Sequence, residues 1–306
     1  MGVVVIGYGV QGRKRAEVAR SDVVAIVDPH VDGVDARNIK DIPGESYDAA
    51  LVCTPDQVKV ELLADLLSRG KHVLVEKPMV GTDAELAMLE QISDRNGVVC
   101  YTAYNHRFEP HYVRARDALA EGAIGDVYHC RVFYGNGTAR LVRDSAWRDQ
   151  GSGVLHDLGS HLLDTLMFWF GDTPREFRII SSRCFENRAP DHVVFGSHGT
   201  PQFECEMTLL NWRNHFTCDM FGSAGSLHIS SLCKWGPTTF TLRRRVLPSG
   251  RPPEESITLI QSDPTWVAEY AHFRELCAAR KGSNIGRDRR LNYLLGDLAR
   301  QAGAFQ

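Results

Sequence analysis

Short apolar runs alternate with amphipathic stretches over the first third of the chain. Residues 3–6 (VVVI) contain no polar position, the pattern of a strand buried on both faces of a parallel sheet. Runs at 23–27, 48–54, 71–75 and 98–102 read as further strands, and 13–20, 57–68 and 83–96 as helices between them. This alternation predicts a doubly wound parallel sheet. One crossover departs from it. Pro29, Gly33, Pro43 and Gly44 break up residues 29–47, so a short irregular connection is expected there.

The pattern changes after residue 106. A helix at 110–121 and a strand at 127–134 lead into an aperiodic stretch, 135–148. Strand-like segments then follow at 176–182, 203–212, 214–221, 226–229, 238–246 and 256–260. Turn residues at 213–214 and 223–225 make these an antiparallel meander, and helices are expected at 266–280 and 289–302. The fold class is therefore α/β, in two domains. Residues 1–106 form a Rossmann domain, and 107–306 an α+β domain with a large, mainly antiparallel, open-faced sheet. Trp212, Phe216, Phe240 and Leu242 alternate on what reads as the outer sheet face. An apolar face of that kind predicts a homodimer or homotetramer, with cover by the C-terminal helices as the alternative.

Residues 151–170 (GSGVLHDLGSHLLDTLMFWF) form the most unusual segment. Val154, Leu155, Leu158, Leu162, Leu163, Leu166 and Met167 recur at helical spacing, but His156, Asp157, His161 and Asp164 are set into the stripe. On a regular helix Asp157 and His161 share a face with Cβ atoms roughly 6 Å apart. A carboxylate so placed orients an imidazole and raises its basicity, as a general base requires. A core histidine satisfied by its neighbour is the plainer alternative. His156 and His161 would lie about 140° apart, poorly placed to share a metal, so no metal site is expected.

The first strand runs into Gly7-Tyr8-Gly9-Val10-Gln11-Gly12 and then a helix, the setting in which G-x-G-x-x-G binds a dinucleotide. Gly7 permits the turn, Gly9 admits a pyrophosphate, and Gly12 lets helix and strand approach. Asp28 ends the second strand, 21 residues after Gly7, where an acid accepts from ribose hydroxyls and repels a 2′-phosphate. NAD is the expected cofactor, and Arg13 and His30 keep NADP open as the alternative. Ligands of such sheets bind beyond the carboxyl strand ends, where Thr54, Pro55, Lys77 and Asn105 fall.

Lys plus Arg number 35 against 38 Asp plus Glu, a net charge of −3, so a nucleic acid or an anionic membrane is not the expected partner. The eight cysteines contain no Cys-x-x-Cys pair and read as reduced core residues. The apolar run at 3–6 comes too soon for a signal peptide, and no segment nears the ~20 apolar residues of a membrane span. A soluble, cytoplasmic protein is expected.

Taken in order, GYGVQG at 7–12, CTPDQ at 53–57, GKHVLVEKP at 70–78, YNHRFEP at 104–110, SAWR at 145–148 and GSGVLHDLGSHLLD at 151–164 resemble the glucose–fructose oxidoreductase and inositol dehydrogenase family. The resemblance covers residues 1–170. It implies a Rossmann domain followed by an open-sheet domain, with hydride transfer at a secondary alcohol of a substrate held between them. By the same resemblance Lys77, Asp157 and His161 are catalytic, and the Lys77–Pro78 bond is cis. Gly7, Gly9, Val10, Gln11, Gly12, Asp28, Cys53, Thr54, Pro55, Glu76, Lys77, Asn105, Trp147 and Arg148 would face the cofactor. Lys77, His106, Arg107, His156, Asp157 and His161 would face a sugar or nucleotide sugar. The chain departs from the family pattern at His106, often Arg, at the GSG opening, and at its short second crossover. A narrower resemblance, carried by IGYGVQGRKR at 6–15, the compact crossover and the length, is to UDP-N-acetylglucosamine 3-dehydrogenases of lipid A diamino-sugar synthesis. An NADP-linked keto-sugar reductase, an inositol or sugar dehydrogenase, and a non-catalytic cofactor-binding regulator are the alternatives.

Overall fold

The structure is a computed structural model and describes residues 1–145, 148–171 and 176–303. It divides into two units. The first comprises residues 1–105 and 265–293, the second residues 106–264 and those from 294 onward.

In the first unit, strands β1 (Val3–Ile6), β2 (Val23–Val27), β3 (Ala49–Val52), β4 (His72–Glu76) and β5 (Cys100–Ala103) form a parallel sheet of order β2-β1-β3-β4-β5. Helix α1 (Val10–Ala19) joins β1 to β2, α2 (Asp56–Ser68) joins β3 to β4, and α3 (Asp83–Asn96) joins β4 to β5. The connection from β2 to β3 holds only two short 3-10 turns and an isolated bridge from Val27 to Ala36, as its prolines and glycines predict.

Strand residues alternate between two buried faces. Val4, Ile6, Val52, Val73 and Val75 pack with Leu63, Leu66 and Leu67 of α2 and Leu86 and Leu89 of α3. Val3, Val5, Leu51 and Leu74 pack with Ala19 and with Tyr270, Phe273 and Cys277. Those last three belong to α7 (Thr265–Ala279), which the sequence reading assigned to the second domain. The correction has a topological reason. Right-handed crossovers put α2 and α3 on one face, leaving α1 as the only crossover helix on the other. A helix from far along the chain returns to cover it.

The second unit is built on an eight-stranded sheet of order β13-β12-β11-β10-β6-β9-β8-β7. Its strands are β6 (Val127–Gly135), β7 (Phe177–Arg183), β8 (His192–Ser197), β9 (Gln202–Thr208), β10 (His215–Gly222), β11 (Gly225–Ser230), β12 (Thr238–Arg244) and β13 (Glu254–Leu259). The expected meander is interrupted, because β6 lies centrally, antiparallel to β10 and parallel to β9. Strand β8 and a short helix, α5 (Ala139–Arg143), were not anticipated. Among the described residues the other helices are α4 (Pro110–Ala120) and α6 (Ser160–Phe170) of this unit and α8 (Ile285–Gly303), whose residues to 293 belong to the first unit and the rest to the second.

The sheet faces are the reverse of the expected ones. Phe216, Phe240 and Leu242 are buried, while Trp212 stands fully exposed in the turn before β10. Tyr112 of α4 packs against Phe216 at 5.3 Å and against Trp169 of α6 at 4.9 Å, so the aromatic face lies under these helices. The opposite face mixes Ile180 and Phe221 with Arg131, Glu204, Thr217 and Arg243. The expectation of a homo-oligomer through Phe216, Phe240 and Leu242 loses those residues as its basis. All eight cysteines are free, and six are buried. Among the described residues no helix is long and apolar enough to cross a membrane.

Candidate active site

In the first unit the glycine turn has a defined shape. Gly7 has φ +89°, and a Cβ there would lie 2.6 Å from the Cys53 carbonyl oxygen. A Cβ on Gly12 would lie 1.9 Å from the Gly7 oxygen. At Gly9 nothing comes within 4 Å, so the space beside its backbone is open. Gly9 caps α1 without a side-chain acceptor, and Val10 and Gln11 of the first turn are exposed. Uncapped N–H groups at an exposed helix start are what an anion binds. The Thr54 hydroxyl oxygen, at the end of β3, is buried without a hydrogen-bond partner among the described residues. An open cradle with an orphaned polar atom beside it fits a dinucleotide.

Asp28 is nearly buried, and its carboxylate accepts backbone N–H bonds from Tyr8 (2.7 Å), His30 (2.8 Å) and Val31 (3.0 Å). Burial alone would raise its pKa. The three amides, with a smaller contribution from His30, outweigh that and hold it below the ordinary carboxylate value. Asp28 thus ties the glycine turn to β2, a role the sequence reading did not assign. Arg13 lies over the Tyr8 ring at 4.5 Å. Burial pushes the Cys53 thiol well above its ordinary pKa, which leaves it inert.

At the end of β4, Lys77 is half-buried and its bond to Pro78 is cis. The Glu76 carboxylate, expected at the cofactor, is held instead by Arg15, whose Nε and one terminal nitrogen both reach Oε1 at 2.7 Å. Arg15 bonds Glu269 of α7 at 2.7 Å through its other terminal nitrogen and lies 4.2 Å from the centre of the Trp266 ring. Asn105 donates its side-chain amide to Thr265 Oγ1 at 2.7 Å.

In the second unit the segment predicted as one regular helix begins with a π-turn, Leu155–Gly159, and becomes α-helical at Ser160. Wide turns of this kind recur at functional sites. Asp157 sits in the π-turn, where its Oδ2 lies 3.3 Å from an Arg148 terminal nitrogen. His156, in the same turn, is half-buried. His161 follows on α6 at 8% exposure, stacked on His106 with ring centres 4.0 Å apart and planes at 18°. Arg107, expected to face substrate, has its fork committed to Asp164, with two bonds of 2.8 Å. Trp147 lies outside the described residues.

Lys234 was missed. It stands on the 3-10 turn Cys233–Trp235 and reaches His106 Nε2 at 3.1 Å and the Tyr134 hydroxyl at 3.4 Å. An ammonium only donates, so a charged Lys234 makes His106 Nε2 the acceptor of this contact. Burial lowers the Lys234 pKa, and Glu109, Asp263 and Asp157 partly restore it. Glu109 accepts the Cys233 N–H at 3.2 Å, and burial raises its carboxyl pKa. Nothing in the sequence flagged Lys234, because its partners lie 128 and 100 residues away. Among the described residues no His, Cys, Asp or Glu side chains are grouped to hold a metal ion.

A parallel nucleotide-binding sheet joined to a large mixed sheet is the architecture of a two-domain, dinucleotide-dependent class. Residues 1–104 match the oxidoreductase family with an NAD-binding Rossmann fold, and residues 112–228 match the GFO/IDH/MocA C-terminal domain. The chain belongs to the Gfo/Idh/MocA family, and its first unit contains an NAD-binding Rossmann domain. The scyllo-inositol 2-dehydrogenase (NADP(+)) of Bacillus subtilis strain 168 is 30% identical over 129 residues, 41% of this chain and 36% of that protein. The 1,5-anhydro-D-fructose reductase of Ensifer adhaerens is 31% identical over 223 residues, 69% of this chain and 66% of that protein. The chain therefore matches only about a third of the inositol dehydrogenase's length. In fold it is similar to levoglucosan dehydrogenase in complex with NADH, with a TM-score of 0.85 at 17% identity, covering 100% of this chain and 98% of that one.

Proposed function

We propose that the protein is an NAD-dependent oxidoreductase that oxidises a ring secondary hydroxyl of a sugar or nucleotide sugar to a ketone. The observation that carries this reading is Lys77 at the carboxyl end of β4 of an NAD-binding Rossmann domain, in a chain that also places His161 beside a π-turn. His161 takes the alcohol proton, Lys77 hydrogen-bonds the reacting oxygen, and Asp157 tunes the imidazole. Bound NAD supplies the hydride acceptor. The glycine turn and the first turn of α1 hold its pyrophosphate, and Thr54 and Asn105 line its site. Asp28, kept ionised by its three amide bonds, disfavours a 2′-phosphate and so favours NAD over NADP.

The relatives named above act, by their names, on an inositol and an anhydro-sugar, which supports a polyhydroxylated ring as substrate. Within that class the narrower proposal is UDP-N-acetylglucosamine oxidised at its 3-hydroxyl, for lipid A diamino-sugars. It rests on the IGYGVQGRKR segment and the compact crossover.

The test is NADH formation across a panel of nucleotide sugars, inositols and sugar acids. Turnover with one of them is expected, falling by about 10²–10⁴-fold in His161→Ala with NAD affinity nearly unchanged. Full activity of that variant removes His161 from the mechanism. Failure of every substrate to reduce NAD favours a cofactor-binding regulator instead.

A further inference from the structure

Lys59 lies on α2 at 2% exposure, a position where an aliphatic side chain would carry no desolvation cost. Its ammonium has three N–H donors. Each meets an oxygen: Asp56 Oδ1 at 2.6 Å, the Glu76 carbonyl at 2.8 Å and the Pro78 carbonyl at 3.0 Å. The two carbonyls belong to the residues immediately before and after Lys77. Arg15 adds a second tether by gripping the Glu76 side chain. The chain bracketing Lys77 is thus held by two buried cations, Lys59 of α2 on its main-chain carbonyls and Arg15 of α1 on the Glu76 side chain.

We propose that Lys59 is a positioning residue for Lys77. By holding both neighbouring carbonyls to α2, its ammonium fixes the direction in which the Lys77 side chain leaves the strand end. The inference rests on the role given to Lys77 under Proposed function. A staple that merely joined α2 to β4 would affect stability without reference to Lys77.

A double-mutant cycle separates the two, using Lys59→Met, Lys77→Met and the double variant, with turnover and NAD affinity measured for each. Lys59→Met is expected to lower kcat at least about tenfold while NAD affinity stays within about threefold, because small misplacement of a reacting group is costly. In the Lys77→Met background the same change should alter the residual kcat less than about twofold. Lys59→Arg keeps the charge but not the three-point geometry, so it should show a smaller loss, again only when Lys77 is present. It carries the cycle if Lys59→Met does not fold. A direct readout is the rate of Lys77 acetylation by an amine reagent, followed by mass spectrometry with exposed Lys40 as internal reference. Lys59→Met should change the Lys77 rate by more than about threefold, because amine reactivity follows its surroundings. An unchanged Lys77 rate, or an equal loss of kcat in both backgrounds, overturns the proposal. Wild-type turnover in Lys77→Met alone would instead overturn the proposed function, and the Lys59 variants cannot mimic that result.

Discussion

Glu269→Gln tests the buried ion pair that ties α1 to α7. Arg15 is 1% exposed and Glu269 0%, so no water solvates the contact at 2.7 Å. Breaking such a pair from one side costs about 3–5 kcal/mol, because the surviving charge stays buried. Glutamine retains a carbonyl for the Arg15 N–H, and Glu76 still neutralises the guanidinium, which puts the expected loss at about 2–3 kcal/mol. Set against a total stability of about 5–15 kcal/mol, that is a large share. The assay is native-state hydrogen exchange of peptides from β1 and β4, under conditions where reclosing outpaces exchange. At roughly 1.4 kcal/mol per tenfold, protection should fall about 30- to 140-fold. A fall of less than about fivefold, roughly 1 kcal/mol, would mean that the pair is neither dry nor coupled to the sheet, and the reasoning would be wrong.

Gly12→Ala must displace the Gly7 carbonyl that a Cβ would approach to 1.9 Å, so it should lower Tm and weaken NAD binding together. Gly9→Ala, with nothing within 4 Å, should weaken NAD binding in a calorimetric titration while leaving Tm of the free protein unchanged. Asp28→Asn is expected to cost about 1–2 kcal/mol at neutral pH through its weakened amide bonds. Because the folded pKa of Asp28 lies below its unfolded value, this contribution is complete above about pH 4 and is lost as pH falls through the lowered value. The Tm difference between wild type and Asp28→Asn should therefore shrink steadily in acid, and a constant difference would contradict the assigned bonds.

How far the sequence could be read depended on whether the determining contacts were local. Helix α3 has the limits that the sequence predicts, and its ends are set by neighbouring residues. Thr82 and Glu85 form a capping box, and Gly97 stops the helix at φ 58°. The glycine turn was legible for the same reason. Alternation along β10 and β12 revealed two faces but not which one the helices cover, because a period of two is symmetric. Phe216 and Phe240 accordingly read as outward-facing and are buried. The π-turn was hidden because the apolar stripe at 154–167 suits a regular helix equally well. Lys234, Lys59 and the Arg15–Glu269 pair draw their meaning from partners distant in sequence, and no spacing rule reaches them.

The return of α7 to the nucleotide-binding sheet has a consequence for synthesis. A ribosome has translated more than 160 further residues beyond β5 before Tyr270 and Phe273 emerge to shield Val3, Val5, Leu51 and Leu74. Until then α1 alone covers part of that surface and the rest is open, so nascent chains are vulnerable to association through it. A fragment ending at residue 105 would keep the whole glycine turn yet lack this shield, so severing the chain there should yield material that aggregates.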